Sequence, residues 1–273
     1  MNIYVIIISI AFLIIALVTI FTSTYYINKR TCHIPKIIWT YWHDKEYDSF
    51  LTKNFQEWRD KMGGYGWTIN ILGPEDFPDT VPSTLYKFDH PHQADWIRLY
   101  KLKYEGGLWL DASIIINEPD KLEIMYQQAV KDKRDLVVFK TKLHETHGKL
   151  PIIENWFIMA PINSNFISLW FEEFNTAIGI SFQEYQNTVS HIDAQKIGNN
   201  LYLTQHICAQ KILQENPDLI HHIRTYDSSE NMFKLQADCN WDSACVVEKV
   251  ENGQMDNIPF VKLRGAERKY LNR

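Results

Sequence analysis

The stretch H-Q-A-D-W-I-R-L-Y-K-L-K-Y-E-G-G-L-W-L-D-A-S-I-I-I, His92 to Ile116, decides how the chain is read. Its first half predicts a helix, because Ala94, Ile97, Tyr100 and Tyr104 recur at helical spacing and fall on one face. Pro91 suits a first helical turn, and Gly106 and Gly107 suit a stop. The apolar run Leu108 to Leu110 then predicts a short strand that delivers Asp111, with a second run from Ile114 to Ile116. In an extended chain Asp111 and Ser113 point to one side and Ala112 to the other. A carboxylate and a hydroxyl then share one surface beside two glycines, where backbone can come close to a ligand. Such an oxygen-lined place suits a hard cation or a phosphate.

Outward from this stretch the pattern predicts an α/β domain. Lys36 to Trp42 is a continuous apolar run of buried-strand type. Leu51, Phe55, Trp58 and Met62 repeat at helical spacing and stop at Gly63-Gly64, and Trp67 to Leu72 reads as a second strand. Strand, helix, strand in that order predicts a mostly parallel central sheet. Downstream, helices are expected over Pro119 to Lys133, around Phe166 to Phe174 and around Leu201 to Ile212, and strands over Leu136 to Phe139 and Asn155 to Ala160. Lys142 to Lys149 reads as a loop, and after about Asn216 the pattern loosens into short strands and loops.

The chain has 273 residues, 45% of them hydrophobic and 14% aromatic, enough for one sizeable core and an appendage. A net charge of -5 gives no basic face of the kind nucleic-acid binders carry. The appendage is the N-terminus: Ile3 to Ile27 holds no charged residue and is long enough to cross a bilayer as a helix. It lacks the basic n-region and small-residue cleavage site of a signal peptide. Residues 1–30 are therefore read as a transmembrane anchor with its basic flank, and residues 31–273 as one domain. Lys29, Arg30 and Lys36 follow the span and none precedes it, which places the domain in the cytoplasm; a Golgi-type luminal domain is the lesser reading. Of the four cysteines, Cys239 and Cys245 could bridge in an oxidising compartment but are expected as free thiols in the cytoplasm.

The quoted stretch resembles the sugar-nucleotide-binding segment of D-x-D glycosyltransferases: Asp95, Arg98, Leu102, Gly106, Gly107, Trp109 and Asp111 fall at its spacings. The ending D-A-S and the earlier I-P-K-I-I-W-T-Y-W, Ile34 to Trp42, are similar to the branch called capsular polysaccharide synthesis proteins. The resemblance runs from Ile34 to about Tyr202. It implies a GT-A-like fold and transfer of a sugar from a nucleotide-sugar donor, a UDP-sugar by expectation, to a glycan or lipid-linked acceptor, with retention of configuration.

Roles follow from the same resemblance. Asp111 and Arg98 are the expected catalytic pair. Trp39, Tyr41, Trp42, Asp95, Gly106 and Gly107 join them as donor-binding residues, with the first-strand rings stacking on the base. A divalent metal, Mn²⁺ or Mg²⁺, is expected on Asp111 and Ser113, where it would neutralise the departing diphosphate; Asp242 is a further candidate ligand. Ser113 departs from the pattern, since relatives often carry a second aspartate there. Asn155 and His206 are expected on the acceptor side. Asp95 and Arg98, one turn apart, could otherwise form a surface pair of small energy. Two other classes stay open: a phosphosugar transferase or nucleotidyltransferase sharing Asp111, and an inert membrane-tethered glycan- or nucleotide-binding module.

Overall fold

The strand–helix–strand opening predicted from the sequence is present. In the computed structural model, β1 (Ile37–Tyr41) leads into α1 (Ser49–Gly63) and then β2 (Thr68–Leu72), which pairs parallel with β1. The structure describes residues 33–145, 150–197 and 201–271; the expected anchor over residues 3–27 lies outside them. Among the described residues no helix is long and apolar enough to cross a membrane. Asp48 starts α1 by accepting from Leu51 N at 2.8 Å, and Leu51, Phe55, Trp58 and Met62 form its buried face as the spacing required.

The central helix α2 (His90–Tyr104) and β3 (Gly107–Leu110) follow, and β3 lies parallel to β1 on its other side. The face predicted for α2 is only partly right. Ile97 is buried, but so are Trp96, Leu99 and Leu102, whereas Tyr104 is exposed. The helix is covered by the sheet on one side and by α4 (Asn165–Ile180) on another, so its buried residues wind around it. Gly106 and Gly107 are required by packing. Their φ angles are +64° and +105°, and a Cβ would sit 2.7 Å from Ile162 N and 2.7 Å from Ile37 O respectively. Gly107→Ala is expected to cost at least about 1–3 kcal/mol from backbone conformation alone. Urea unfolding with a wild-type midpoint would refute this.

Six strands form the main sheet in the order β2-β1-β3-β6-β5-β7, with β5 (Leu136–Glu145), β6 (Pro151–Ala160) and β7 (Ile223–Asp227). Only β6 runs against the rest, pairing antiparallel with both β3 and β5. The fold is thus mixed α/β with a mostly parallel sheet. Of the loop expected over Lys142 to Lys149, the part up to Glu145 is instead the continuation of β5, and residues 146–149 lie outside the described residues. Among the described residues the remaining α-helices are α3 (Pro119–Lys131), α5 (Phe182–Thr188), α6 (Thr204–Glu215), α7 (Lys234–Asp238), α8 (Ser243–Glu251) and α9 (Gly265–Leu271).

The C-terminal part is more ordered than its pattern suggested. β8 (Phe260–Lys262) pairs antiparallel with β4 (Ile114–Ile116), placing Lys262 opposite Ile114. This ladder and α7 enclose a second apolar core around Ile115, Leu235, Val246 and Val261. Cys239 and Cys245 are bonded to each other, which corrects their expected state as free thiols.

Candidate active site

Beyond the carboxyl ends of β1 and β3 lies a cavity of about 350 Å³. The segment between β3 and β4 is a turn, so the expected extended run is corrected: Ile114 N donates to Asp111 O at 3.0 Å. The turn is held from two sides. Asp111 N donates to Trp156 O at 2.9 Å, and Asn54 Nδ2 of α1 donates to Ala112 O at 3.0 Å and Ile114 O at 2.9 Å. Asp111 and Ser113 still converge, on a residue the sequence did not single out. Lys262 Nζ donates to Asp111 Oδ2 at 2.7 Å and to Ser113 Oγ at 2.8 Å.

The other Asp111 oxygen is also engaged: Oδ1 accepts from Arg98 Nη2 and from Trp109 Nε1, both at 3.0 Å. Arg98 lies 5.0 Å from the Trp109 ring centre, and its Nη1 donates to Asp95 Oδ1 at 2.6 Å and Gln205 Oε1 at 2.7 Å. Asn155 Nδ2 joins the same network, donating to Asp95 Oδ1 at 3.0 Å and Gln205 Oε1 at 2.8 Å. Asp95 and Arg98 are 7% and 3% exposed, so the surface-pair alternative fails. Such a buried cluster persists only while every member keeps its partner.

Burial pushes the Asp95 carboxyl up against the pull of Arg98. For Asp111, burial also raises, but Lys262 and Arg98 outweigh it and hold the carboxyl below the ordinary 3.8. A depressed carboxyl contributes stability that is fully present above its unfolded value and is lost as pH falls through the lower folded value. Asp111 is therefore expected to stay ionised below pH 3.8. Carbon-13 NMR of the carboxyl resonances measures this, and a midpoint above the ordinary value would contradict it.

Most of the residues expected in the site are brought together: Tyr41, Trp42, Asp95, Arg98, Asp111, Ser113, Asn155 and His206 all border the cavity. Three are not. Trp39 is buried, donates from Nε1 to Gly106 O at 2.9 Å and lies under Lys101, away from the cavity. Gly106 and Gly107 lie at the opening end of β3, a strand length from its carboxyl end, and serve strand packing. Asp242 caps α8, accepting from Ala244 N at 2.7 Å and Cys245 N at 3.0 Å. His206 has its Nδ1 buried with no hydrogen-bond partner among the described residues, and its Nε2 is 3.7 Å from Glu154 Oε2.

Sequence reasoning missed Lys262, Gln205 and Arg268. Gln205 adjoins His206 and is fully buried, but glutamine carries no chemical signature. Lys262 ends an ordinary F-V-K strand, and nothing local ties it to Asp111.

The divalent cation expected on Asp111 and Ser113 finds a poor donor set. The two oxygens that would face it already accept from Lys262, and among the described residues no group of three or more metal-binding side chains occurs. A hard cation at a phosphate site is held by one or two carboxylates and completes its shell with phosphate and water oxygens. With the Lys262 ammonium on both protein oxygens, the residues as arranged do not fit the ion unless that ammonium is displaced.

Aromatic walls and cations beyond strand carboxyl ends define an α/β domain suited to an anionic ligand at that edge. A model of the family described as capsular polysaccharide synthesis protein matches residues 16–240, and the chain belongs to that family. The O-glycosyltransferase PaGT of Phomopsis amygdali is 24% identical over 159 residues, covering 51% of this chain and 38% of PaGT; the match thus spans under half of that relative. The crystal structure of a glycosyltransferase involved in the glycosylation of the major capsid of PBCV-1 aligns with a TM-score of 0.47 at 13% identity, over 87% of this chain and 99% of that one. The PaToxG glycosyltransferase aligns at 0.36 and 14% identity, over 88% and 84% of the two chains.

Proposed function

We propose that the chain transfers a sugar from a nucleoside-diphosphate sugar to a glycan or lipid-linked acceptor, on a GT-A-like fold. The observation that carries this reading is the charge of the cavity: Arg98, Lys262 and Arg268 against Asp95 and Asp111, beside the rings of Tyr41 and Trp42. A surplus of positive charge next to aromatic faces suits a diphosphate joined to a base. Family membership and the O-glycosyltransferase name of PaGT support the same class. Both cavity carboxylates are tied to cations, which leaves neither as a free nucleophile. Retention would then proceed by front-face substitution, with the acceptor proton passing to the departing phosphate.

The test is a panel of sugar nucleotides, UDP-sugars included, with the purified domain, following slow donor hydrolysis by the nucleotide released. Nucleoside diphosphate is the expected product. Release of monophosphate would make the protein a phosphosugar transferase, and no cleavage of any donor would reduce it to a binding module.

We further place the domain on the oxidising side of a membrane, anchored through residues 3–27. Lys36 is tied into the domain by Tyr65 O and Glu123 Oε1, both at 2.8 Å, so the basic flank shrinks to Lys29 and Arg30. The Cys239–Cys245 bond is ordinary outside the reducing cytosol and rare within it. Protein alkylated in intact source cells is expected to carry no label on these two cysteines by mass spectrometry. Labelling of both would return the domain to the cytoplasm.

A further inference from the structure

We propose that Lys262, backed by Arg98, supplies the positive charge that D-x-D sugar transferases take from a divalent cation, so that this chain binds and cleaves its nucleoside-diphosphate sugar without metal. The proposal rests on the transferase reading above and deepens it. The Lys262 ammonium bridges Asp111 Oδ2 and Ser113 Oγ, the two motif oxygens expected to hold a metal ion. A divalent ion would have to displace it or sit against a like charge.

The lysine is a fixed part of the site. Its N donates to Met232 O at 2.9 Å, Gln236 Nε2 donates to its O at 2.9 Å, and its side chain is 15% exposed. Ser113 then has a reason. With aspartate there, two carboxylates would neutralise the ammonium and leave little charge for a phosphate. A serine offers a lone pair and no charge, while Asp111 is already balanced in part by Arg98. The cavity keeps a positive surplus, which Arg268 extends towards Trp42, its guanidinium 5.6 Å from that ring.

In the reaction the bond between the anomeric carbon and the bridging phosphate oxygen breaks, and its electron pair stays on that oxygen. The acceptor oxygen bonds to the anomeric carbon and its proton passes to the departing phosphate. Lys262 keeps its protons and neutralises the charge that develops, as preorganised cations do in phosphoryl and glycosyl transfer.

The experiment is calorimetric titration of UDP and GDP, with donor hydrolysis in parallel, on the purified full chain in detergent, in EDTA and then in Mn²⁺. Binding and hydrolysis are expected to be the same in both. Lys262→Ala is expected to weaken diphosphate binding in EDTA by about tenfold to a hundredfold, the value of a charge-assisted contact. Lys262→Arg is expected to restore most of it, and melting curves show that both variants are folded. Should Lys262→Ala not fold, the wild-type comparison decides alone. Binding and cleavage that appear only with Mn²⁺ would overturn the metal-free assignment and leave the transferase reading standing. No binding of either nucleotide and no cleavage of any donor in both conditions would overturn the two together.

Discussion

Replacing Arg98 by alanine is expected to destabilise the domain by about 3–5 kcal/mol, the usual cost of removing one partner from a buried ionic cluster. For a domain of this size that lowers the melting temperature by on the order of 10 °C. The reason is the number of groups it leaves stranded. Asp95 loses its cation in a place where burial already disfavours its charge. Gln205 Oε1 and Asp111 Oδ1 each lose a donor, and the Trp109 ring loses the guanidinium against it. Arg98→Lys keeps the charge but is expected to recover only part of the loss. A single ammonium cannot reach Asp95, Gln205 and Asp111 in one plane while lying on a ring. Thermal and urea unfolding measure both variants. An Arg98→Ala protein that melts like the wild type would show that the cluster holds nothing together.

The frame of the site was legible because its elements are local. Asp95, Arg98 and Asp111 belong to one helix, one stop and one strand, so spacing along the chain carries their geometry. The buried faces of α1 and β1 were legible for the same reason. What spacing could not carry is pairing across the sequence. Lys262 reaches Asp111 only because β8 pairs with β4, and a three-residue strand with no alternation announces neither its partner nor its register. Gln205 turns inward beneath Arg98 because α6 packs on α4 and β6, a tertiary fact absent from its helix pattern. Gly106 and Gly107 show the opposite error. The spacing found them correctly, but their work is to let β3 pass close to Ile37 and Ile162. Trp39 was placed by its strand and lost by its depth, since a ring that donates to Gly106 O cannot also meet a base at the strand end.

Asp111→Asn is expected to cut donor turnover by about a hundredfold to a thousandfold, the scale of losing a preorganised electrostatic contact. The amide keeps the shape and can still accept from Arg98 and Trp109. It cannot hold the ammonium of Lys262, because an amide N–H₂ would face it. Lys262 then leaves its place between residues 111 and 113, and the cation meant for the departing phosphate is no longer aimed. On the metal-free proposal Asp111 is a positioning residue, acting through Lys262 and Arg98. Its side chain is 27% exposed, against 4% for Arg98, so the melting temperature is expected to fall less than for Arg98→Ala. One titration separates this role from that of a metal ligand. If Asp111 positions Lys262, excess Mn²⁺ leaves the Asp111→Asn defect unchanged, and Lys262→Ala adds little further loss in the double variant because both changes remove one device. If rising Mn²⁺ restores turnover, the carboxylate binds a cation in the working enzyme, and the contact with Lys262 is only its resting state.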